Sequence, residues 1–578
     1  MRNDEVARRL EEFADRLEAT GVEYKPRSYR LAAETVREHP EPIEDVADRG
    51  DLDDLDRVGD AIASKIAEYL ETGEIAELEE LREELPVDIA ALTAVEGVGP
   101  KTVGTLYEAL GISSLDELEA AAEAGEIREV SGFGAKTEAN IRENVAFARQ
   151  ATGRVRLGQA RPLAEATVAL AESAGAQRAE PAGSLRRWSP TVGDVDVLAA
   201  TAEPASVIAA LTDWDRVETV IEAGETKASV RVDGTRVDLR VADLAEFGAA
   251  LQYFTGSWDH NVKLRNRAIE RDLKMNEYGV FDVSGLSAEE REGQRAGERV
   301  AGESEAAMYE VLDLPPIPPE LREDRGEIEA AAEGSLPDLL SLGDVRGDLH
   351  THTDWSDGEA TVAEMARAAA DRGAAYHAVT DHATGPGMVG GVGLSDDDLR
   401  EQIAAIEELD APIPVLAGVE TNVDADGDLS TGDDVLAELD VVVASPHSGL
   451  GQDRETATER LVRAAEHPEV DVLGHPTGRL INERPGLAPD IERVAAAAAD
   501  AGTALEVNAD PRRLDLDGDA VRVAVEAGAS IAIDTDAHRT TTLANVRYGV
   551  HTARRGWAAA ADVVNTRPLD GLRAFLDG

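Results

Sequence analysis

Residues 348–358 read DLHTHTDWSDG, and this stretch indicates how the second half of the chain folds. The residues RGDL lead to His350 and His352, with Asp357 shortly after, and downstream several short apolar runs likewise end in a potential ligand. Apolar runs of this kind, separated by helical stretches, are typical of buried parallel strands. In a βα-barrel, functional groups gather at the C-terminal ends of the strands. The sequence therefore predicts a barrel whose strand ends bring together His350, His352, Asp357, Asp381, His382, Glu420, His447, His475, Asp536 and His538.

The predicted cluster offers only imidazole and carboxylate groups, because the chain has no cysteine. A single histidine at such a position is more often a hydrogen-bonded core or surface residue, but the repeated pattern favours a shared metal site. Imidazoles with carboxylates suit Mn²⁺ or Zn²⁺ better than Mg²⁺. Clustered ions lower the pKa of a bound water and stabilise the leaving oxygen of a phosphoester. We therefore expect metal-dependent phosphoester hydrolysis.

The motifs of residues 346–578 (HxH with a following Asp, TDH, SPH, GHP and DAH) resemble those of the PHP (polymerase and histidinol phosphatase) superfamily. The resemblance implies a distorted (β/α)7 barrel with two or three metal ions. In polymerase-linked members it also implies a 3′–5′ exonuclease. Arg479 and Arg512 are candidate phosphate contacts, with an ordinary surface arginine as the alternative for each. The nine metal ligands that the resemblance implies are His350, His352, Asp357, His382, Glu420, His447, His475, Asp536 and His538.

The first half of the chain contains a second set of carboxylates, which begins in AGSLRRWSPTVGDVDVLAA (residues 182–200). Asp194 and Asp196 are two apart in a strand-like run, so both carboxylates point to one face. Asp238 lies in a second strand-like run, TRVDLRV. A lone DxD is more often a solvated strand end, but three convergent carboxylates can hold two Mg²⁺ ions. With the preceding Gly-Ser turn, this spacing resembles the nucleotidyltransferase superfamily.

The segment LQYFTGSWDHNVKLRNRAIERDLKMNEYGVF (residues 251–281) narrows the family, because it resembles the thumb region of family X DNA polymerases, which include DNA polymerase beta. Core packing is the alternative for its aromatic pair, but the flanking TGS and asparagine favour a nucleotide pocket. The resemblance implies dNTP substrates, with Mg²⁺ on the three aspartates. The residues it assigns to dNTP or DNA are Gly183 and Ser184 at a phosphate, Arg187 at the triphosphate, Tyr253, Phe254 and Gly256 at the sugar, Asn261 at the nascent base pair and Arg265 at the template.

Two similar units, VEGVGPKT and VSGFGAKT, each predict a helix, a tight turn and a second helix. They resemble helix-hairpin-helix motifs, in which backbone N–H groups bind a DNA phosphate without reading sequence. A helix turn that serves packing alone is the alternative. The DNA-binding residues that the resemblance implies are Gly97, Gly99 and Lys101 in the first unit and Gly132, Gly134 and Lys136 in the second.

Residues 1–85 resemble the small lyase domain of the same polymerases, and Lys65 matches the lysine that forms a Schiff base with a 5′-deoxyribose phosphate. Such a lysine needs a lowered pKa to act as a nucleophile. The chain departs from the family pattern at Arg57, which replaces a turn glycine, and at Ala61, which replaces a phosphate-binding lysine. A helix-surface role for Lys65 is the alternative.

The sequence therefore predicts a multidomain chain. The expected folds are all-α lyase-like and helix-hairpin-helix domains, an α/β (α+β) nucleotidyltransferase palm with a thumb, and the distorted (β/α)7 barrel. The expected boundaries are residues 1–90 for the lyase-like domain, 91–150 for the helix-hairpin-helix domain, 151–240 for the palm, 241–318 for the thumb, 319–345 for a linker and 346–578 for the barrel.

The charge balance is extreme, with 116 acidic against 57 basic residues and a formal net charge of -59. A DNA-binding chain usually carries a basic footprint instead. The scarcity of lysine and the even spread of acidic residues indicate adaptation to molar salt, as in a halophilic archaeon, because the Debye length is only about 3 Å at 1 M salt. Residues 260–274 are an exception, with five basic residues against two acidic ones, and this positive stretch lies on the element that we expect to face DNA.

These observations predict a monomeric, cytoplasmic enzyme that acts on gapped or nicked DNA with dNTPs. We expect it to fill short gaps in base excision repair and to process 3′ ends with the barrel. A chain that is mainly a phosphoesterase, with the N-terminal half as a DNA-binding module, is the alternative. A histidinol phosphatase is disfavoured, because it has no need of DNA-reading motifs.

Overall fold

The computed structural model describes residues 3–22, 25–39, 43–55, 57–95, 97–151, 154–287, 289–385 and 392–577. The chain divides into two compact units, Met1–Arg154 with Asn482–Pro485, and Val155–Ile481 with Gly486–Gly578. Among the described residues, no helix has the length and apolar character needed to cross a membrane.

The described regular elements of Met1–Arg154 are all helices. Its first helix buries Val6, Leu10, Phe13 and Leu17, apolar residues that recur at helical spacing in the sequence. The helices are α1 (Asn3–Ala19), α2 (Lys25–Glu38), α3 (Ile43–Arg49), α4 (Asp60–Thr72), α5 (Ala76–Glu84), α6 (Ile89–Thr93), α7 (Pro100–Leu110), α8 (Leu115–Ala124) and α9 (Ala135–Ala151).

The second unit opens with an α/β palm. Its main sheet has the strand order β2-β4-β7-β6-β5, in which the central pair β4 and β7 is parallel and the other pairs are antiparallel; β1 pairs only with β3. The elements are β1 (Val155–Arg156), α10 (Leu157–Ser173), β2 (Arg178–Pro181), α11 (Gly183–Arg186), β3 (Thr191–Val192), β4 (Val195–Ala200), α12 (Pro204–Thr212), β5 (Val217–Ala223), β6 (Lys227–Val232) and β7 (Thr235–Ala242).

The thumb follows as helices on a small antiparallel sheet of order β10-β9-β8. Residues predicted as a linker also contribute to its core, through Leu321, Ile328 and Ala331. The elements are α13 (Phe247–Thr255), α14 (Trp258–Ile269), β8 (Leu273–Asn276), β9 (Gly279–Asp282), β10 (Glu298–Ala301), α15 (Glu305–Glu310) and α16 (Glu327–Glu333).

The remaining strands form a parallel sheet in simple sequence order, and a bridge between Thr351 and Ala537 joins its two edges into a nearly closed barrel. This confirms the predicted fold class. The strands are β11 (Gly347–Asp348), β12 (Tyr376–Val379), β13 (Val415–Asn422), β14 (Val441–Ser445), β15 (Val472–Leu473), β16 (Ala504–Asn508) and β17 (Ile531–Asp534).

Helices cover the outside of the barrel, and α23 also faces the palm, where its Tyr548 joins the palm's hydrophobic core. The barrel helices are α17 (Val362–Asp371), α18 (Asp396–Glu407), α19 (Asp433–Leu436), α20 (Arg454–Ala465), α21 (Ile491–Ala501), α22 (Gly518–Glu526), α23 (Val546–Arg555) and α24 (Leu569–Leu576).

Candidate active sites

Three carboxylates meet at the centre of the palm sheet. Asp196 on β4 and Asp238 on β7 are direct neighbours in the parallel register, and Asp194 lies one residue before β4. Ligand atoms of all three lie within 4.8 Å of one another. The sequence pattern therefore placed the convergence of these residues correctly, and the geometry allows them to share divalent cations.

Repulsion and burial both act on this carboxylate group. Burial, followed by the charges of Asp194 and Asp238, raises the pKa of Asp196 to about 7. Arg236 donates to both oxygens of Asp238, at 2.9 and 3.1 Å, and compensates part of the negative charge. A bound divalent cation would compensate more of it, so the donor set fits the Mg²⁺ that the resemblance implies.

Residues 183–188, between β2 and β3, comprise the short helix α11 and the two residues after it; they are called the phosphate turn below, after the phosphate contact that the sequence predicts at Gly183 and Ser184. Gly183 has φ +61°, and a Cβ there would lie 2.3 Å from Oδ2 of Asp196, so the turn packs directly on a candidate metal ligand. The backbone carbonyl of Ser184 accepts from Ser189 and closes the turn. Arg187 donates from Nε to Glu323, at 2.8 Å, and from Nη1 to the Thr255 carbonyl, also at 2.8 Å.

The residues predicted to line a sugar pocket lie at the junction of α13 and α14. Tyr253 and Phe254 are half-buried and meet edge to face, with centroids 5.2 Å apart. Asn261 donates to the carbonyls of Tyr253 (2.7 Å) and Gly256 (3.3 Å), which ties the helix start to the TGS turn. A Cβ on Gly256 would meet the Asn261 side chain at 2.5 Å, which explains why a glycine stands there.

The basic residues of 260–274 are mostly engaged within the protein. Lys263 pairs with Asp324 and Glu329, Lys274 donates to two backbone carbonyls, and Arg267 donates to the Leu312 carbonyl. Arg265 is exposed on α14. The positive stretch that the sequence suggested as a DNA-facing surface therefore serves largely to hold the thumb together, with Arg265 as its exposed member.

The nine predicted barrel ligands do converge at the C-terminal strand ends. Three overlapping groups each have ligand atoms within 4.8 Å of one another, and His475 joins them through Nε2, which lies 2.9 Å from Glu420 Oε1. The groups are His352, Asp357, His382 and His538; His350, His352 and Asp536; and His382, Glu420 and His447.

Several ring nitrogens of this cluster lie close to carboxylates but make no well-aligned hydrogen bond within the described part of the chain. Nε2 of His350, both ring nitrogens of His352 and Nδ1 of His475 are buried without a hydrogen bond of good geometry. Leaving such atoms unpaired costs about 1–3 kcal/mol each. Buried nitrogens that face carboxylates are the environment in which divalent cations bind, so the residues present fit a multi-metal centre.

The pKa values of the cluster histidines shift in two directions, downward where burial dominates and upward where carboxylates lie close. Burial lowers the pKa of His352 to about 4 and that of His475 to about 3, so both rings are neutral, as metal ligation requires. Burial also disfavours the charged form of His382, but Glu420 and Asp357 outweigh it and raise its pKa to about 10. The raised pKa means that a proton on His382 supplies the positive charge that these carboxylates require, and a bound cation would take the place of that proton.

Two residues that the sequence did not reveal orient the histidines. Glu506 on β16 accepts from Nδ1 of His350 (2.7 Å) and from the backbone N–H of His475 (2.5 Å). Asn422 lies 2.7 Å from Nδ1 of His447 through its side-chain oxygen. Partners of this kind fix the tautomer and direction of a ligating imidazole. Their position inside or at the end of apolar strands gave no separate signal.

Asp381, predicted at a strand end beside His382, supports the site through hydrogen bonds to neighbouring residues. It accepts from the backbone and hydroxyl of Thr353, from Ser356 and from Gln402. These bonds hold the loop that carries His352 and Asp357, and Asp381 is not among the grouped ligand residues.

The two candidate phosphate arginines lie in different surroundings. Arg479 donates to the carbonyls of Arg513 and Leu514 and to Asp517, so it braces a loop. Arg512 is exposed and pairs with Asp510. The arginine at the cluster is Arg513, whose Nε lies 3.6 Å from Asp536 Oδ2. The sequence could not separate these neighbours, because their side chains point in different directions.

The helix-hairpin-helix turns share one backbone geometry. Gly97 and Gly132 have φ +85° and +95°, and Gly99 and Gly134 stand directly before α7 and α9. No neighbouring atom lies within 4 Å of where a Cβ would be on these four glycines, so both turns are open to a ligand. Lys101 and Lys136 are exposed beside them.

A third turn repeats this geometry at the start of α4. Arg57 has φ +60° where the other turns have glycine, and Gly59 again precedes the helix. Ala61 stands where the other units have lysine. Arg57 and Ala61, the two departures noted in the sequence, are thus the positions at which this turn differs from the two turns that have glycine and lysine there.

Lys65 lies on α4 with its amine engaged. Its Nζ pairs with Glu77 and lies 4.7 Å from the centroid of the Phe13 ring, and its side chain is 13% exposed. Lys65 is therefore more enclosed than the helix-surface lysine of the alternative, and its lyase role stays a prediction.

Four family models match the chain. They are a DNA polymerase beta thumb (residues 250–323), a helix-hairpin-helix domain (1–75), a SAM-like helix-hairpin-helix tandem (49–110 and 89–145) and a PHP domain (348–510). The tandem match includes the third turn at Arg57.

Two groups of relatives are similar to the chain. The DNA polymerase/3′-5′ exonuclease PolX of Bacillus subtilis (strain 168) is 36% identical over 584 aligned residues, covering 100% of this chain and 99% of the relative. A probable phosphatase of Thermoanaerobacter sp. (strain X514) is 34% identical, covering 33% of this chain and 78% of the relative. A probable phosphatase of Shewanella sp. (strain MR-4) is 29% identical, covering 33% and 75%.

Proposed function

The chain belongs to the family X DNA polymerases that carry a PHP domain, and from this premise we propose that it fills short DNA gaps and trims 3′ ends at two separate metal sites. It is a DNA polymerase with a 3′–5′ exonuclease. The observation that carries the proposal is that one chain holds both the palm carboxylates and the barrel cluster of histidines and carboxylates.

For the polymerase, we assign Mg²⁺ to Asp194, Asp196 and Asp238. Magnesium there would activate the primer 3′-oxygen and carry the triphosphate. The phosphate turn offers backbone N–H groups and Arg187 to the incoming dNTP. Tyr253 and Phe254 would line the sugar, Asn261 would contact the base pair being formed and Arg265 would contact the template.

For the exonuclease, we assign two or three Mn²⁺ or Zn²⁺ ions to the nine barrel ligands, from the preference of imidazole and carboxylate donors. Such ions would lower the pKa of a bound water and stabilise the leaving 3′-oxygen. Glu506 and Asn422 hold His350 and His447 in their ligating directions. Arg513 is placed to receive a phosphate of the scissile strand.

Gapped or nicked DNA, as formed in base excision repair, is the proposed substrate of a monomeric enzyme. The open turns at Gly97 and Gly132 would bind backbone phosphates without reading sequence. Such contacts suit an enzyme that must act at a gap wherever it occurs. The proposal includes adaptation to molar salt, which the net charge of -59 supports.

One gapped duplex tests both activities. With dNTPs and Mg²⁺ we expect the gap to be filled, and without dNTPs in Mn²⁺ we expect shortening from the 3′ end. Asp238→Ala should abolish filling and keep shortening, whereas His350→Ala should do the reverse. Gap filling that persists in both Asp194→Ala and Asp238→Ala would show that these aspartates are not the polymerase site. Shortening that persists in His350→Ala would show that the barrel cluster is not the exonuclease site.

A further inference from the structure

The phosphate turn ends in a strained residue that requires outside support. Trp188 has φ +57°, in the left-handed region, and is only 7% exposed. A bulky residue there costs about 1–3 kcal/mol and persists only where its surroundings enforce the conformation. The position of the neighbouring Arg187 therefore depends on what holds Trp188.

A helix of the barrel provides much of that support. The ring of His551 on α23 stacks on the Trp188 ring, with centroids 3.6 Å apart and planes inclined by 6°. Tyr548, one turn earlier on α23, meets the same indole edge to face at 5.9 Å. From the palm side, Arg161 lies 4.1 Å from the Trp188 centroid.

The same helix also holds Arg187 through hydrogen bonds. Nη1 of Arg555, the last residue of α23, donates to the Arg187 carbonyl at 2.6 Å and to Oε1 of Glu323 at 3.1 Å. Arg187 donates from Nε to that same oxygen at 2.8 Å. One carboxylate oxygen is thus shared between an arginine of the barrel and the arginine assigned to the triphosphate.

These groups are largely shielded from water, so their geometry is well defined. The side chains of Arg187, Glu323 and Arg555 are 13%, 17% and 11% exposed. Burial raises the pKa of Glu323, but Arg187 and Arg555 outweigh it and leave it below its usual value. The carboxylate therefore stays charged between the two guanidinium groups.

We propose that α23 of the barrel positions the phosphate turn, so that dNTP binding in the palm depends on Arg555 and His551. The inference rests on the proposed function, because it takes Arg187 as the triphosphate contact. Arg555 and His551 are positioning residues that act through Arg187 and Trp188. A guanidinium fork held in its binding direction before the ligand arrives loses less freedom on binding, which raises affinity.

The test measures dNTP binding separately from chemistry. Full-length protein is bound to a one-nucleotide gap whose primer ends in a dideoxynucleotide, and the Kd of the complementary dNTP is measured with Mg²⁺. Arg555→Ala should raise this Kd about tenfold, the cost of one charge-assisted hydrogen bond. Arg555→Lys, which keeps the charge but loses the fork, should raise it less. His551→Ala should weaken binding, whereas His551→Phe should retain most of it through the stack.

One matched control replaces an arginine elsewhere in the barrel, Arg493, and a second measures the exonuclease activity of Arg555→Ala. Arg493→Ala removes a barrel arginine paired with Glu455 and should leave the dNTP Kd unchanged. The exonuclease rate of Arg555→Ala should stay within about twofold of wild type, because Arg555 donates to Arg187 and Glu323, which are not among the barrel ligands. Glu323→Gln combined with Arg555→Ala should be non-additive, since both changes break one shared contact.

The outcomes separate this inference from the proposed function. Unchanged dNTP affinity in both Arg555→Ala and His551→Ala overturns the inference alone. A parallel loss of exonuclease, or an equal loss in Arg493→Ala, assigns the effect to general destabilisation and also overturns it. A wild-type protein that neither binds dNTP at the gap nor extends a normal primer overturns the polymerase assignment, and this inference with it.

Discussion

Glu506 illustrates how a single buried carboxylate can set the direction of metal ligands. Both of its oxygens accept hydrogen bonds, one from the His350 ring and one from the His475 backbone. Glu506→Gln would place an amide NH₂ group against one of these donors. We expect Mn²⁺ affinity to fall about 10–100-fold, the usual cost of losing an outer partner of a ligand.

Isothermal titration of the metal-free protein with Mn²⁺ measures this directly, without reference to activity. Glu407→Gln, on the exposed side of α18, is the matched control and should bind as wild type does. Equal Mn²⁺ affinity in Glu506→Gln and wild type would show that Glu506 has no part in orienting the ligands.

The residue scale also shows the limit of sequence reasoning. The barrel histidines were predictable, because each ends an apolar run at a strand terminus. Glu506 lies inside the run ALEVN, where periodicity reads it as a strand position and gives no hint of a partner across the barrel. Arg512 and Arg513 are adjacent in sequence, and only the backbone conformation decides which faces Asp536.

At the scale of elements, the phosphate turn has little tolerance for added atoms. A Cβ at Gly183 would lie 2.3 Å from the Asp196 carboxylate, and the φ of +61° disfavours any side chain. Gly183→Ala should therefore displace Asp196 and lower the rate of gap filling about 100-fold, as misplacement by about 1 Å can do. Gly224→Ala, at a turn with ordinary contact distances, is the control. Single-turnover gap filling by both variants is the measurement, and equal rates would contradict the close approach.

The contact between α23 and residues Pro319–Leu321, which precede α16, predicts a pH dependence of stability. Burial disfavours charge on Glu320, but His551 and Arg554 outweigh it and lower its pKa from 4.5 to about 2. A lowered carboxyl pKa stabilises the fold above pH 4.5, and this contribution is lost as pH falls towards 2. Glu320→Gln should thus be less stable at neutral pH. Its deficit should shrink by about 2 kcal/mol between pH 5 and pH 3.

Urea unfolding of wild type and Glu320→Gln at pH 7, 5 and 3 measures that deficit. Comparing the two proteins cancels the titration of other carboxylates that behave alike in both. A deficit that is constant with pH would mean that the Glu320 carboxylate is not stabilised by its two partners.

Element boundaries were predictable where the apolar pattern changed period, and less so where packing decided the outcome. The strands of the barrel and the glycine turns before α7 and α9 follow from local sequence. Residues 319–345 were predicted to be a linker because they belong to a charged, proline-rich stretch (283–345), yet their few apolar residues complete the thumb core. Likewise, Lys263 and Lys274 looked free to meet DNA, whereas nearby acceptors engage both.

For the whole molecule, the dominant fact is a net charge of -59 on a DNA-dependent enzyme. At low salt this charge should repel DNA and strain the fold, because self-repulsion is weakly screened. At 1 M salt the Debye length is about 3 Å, so both penalties become small. Thermal stability should therefore rise as KCl increases from 0.2 to 2 M, which a series of melting curves measures.

DNA binding should follow an unusual salt course for the same reason. Proteins that rely on many lysine and arginine contacts lose affinity steeply as salt rises. This chain places open backbone turns at Gly97 and Gly132, with only one exposed lysine beside each.

We expect binding to a one-nucleotide gap to persist at 1 M KCl. The double variant Lys101→Ala/Lys136→Ala should weaken it several-fold at 0.2 M and little at 1 M, because the lysine term is the one that salt removes. Fluorescence anisotropy with a labelled gapped duplex measures both proteins across the range. Loss of wild-type binding well below 1 M KCl would refute the adaptation to salt and show that side-chain charge, rather than the backbone of the turns, holds the DNA.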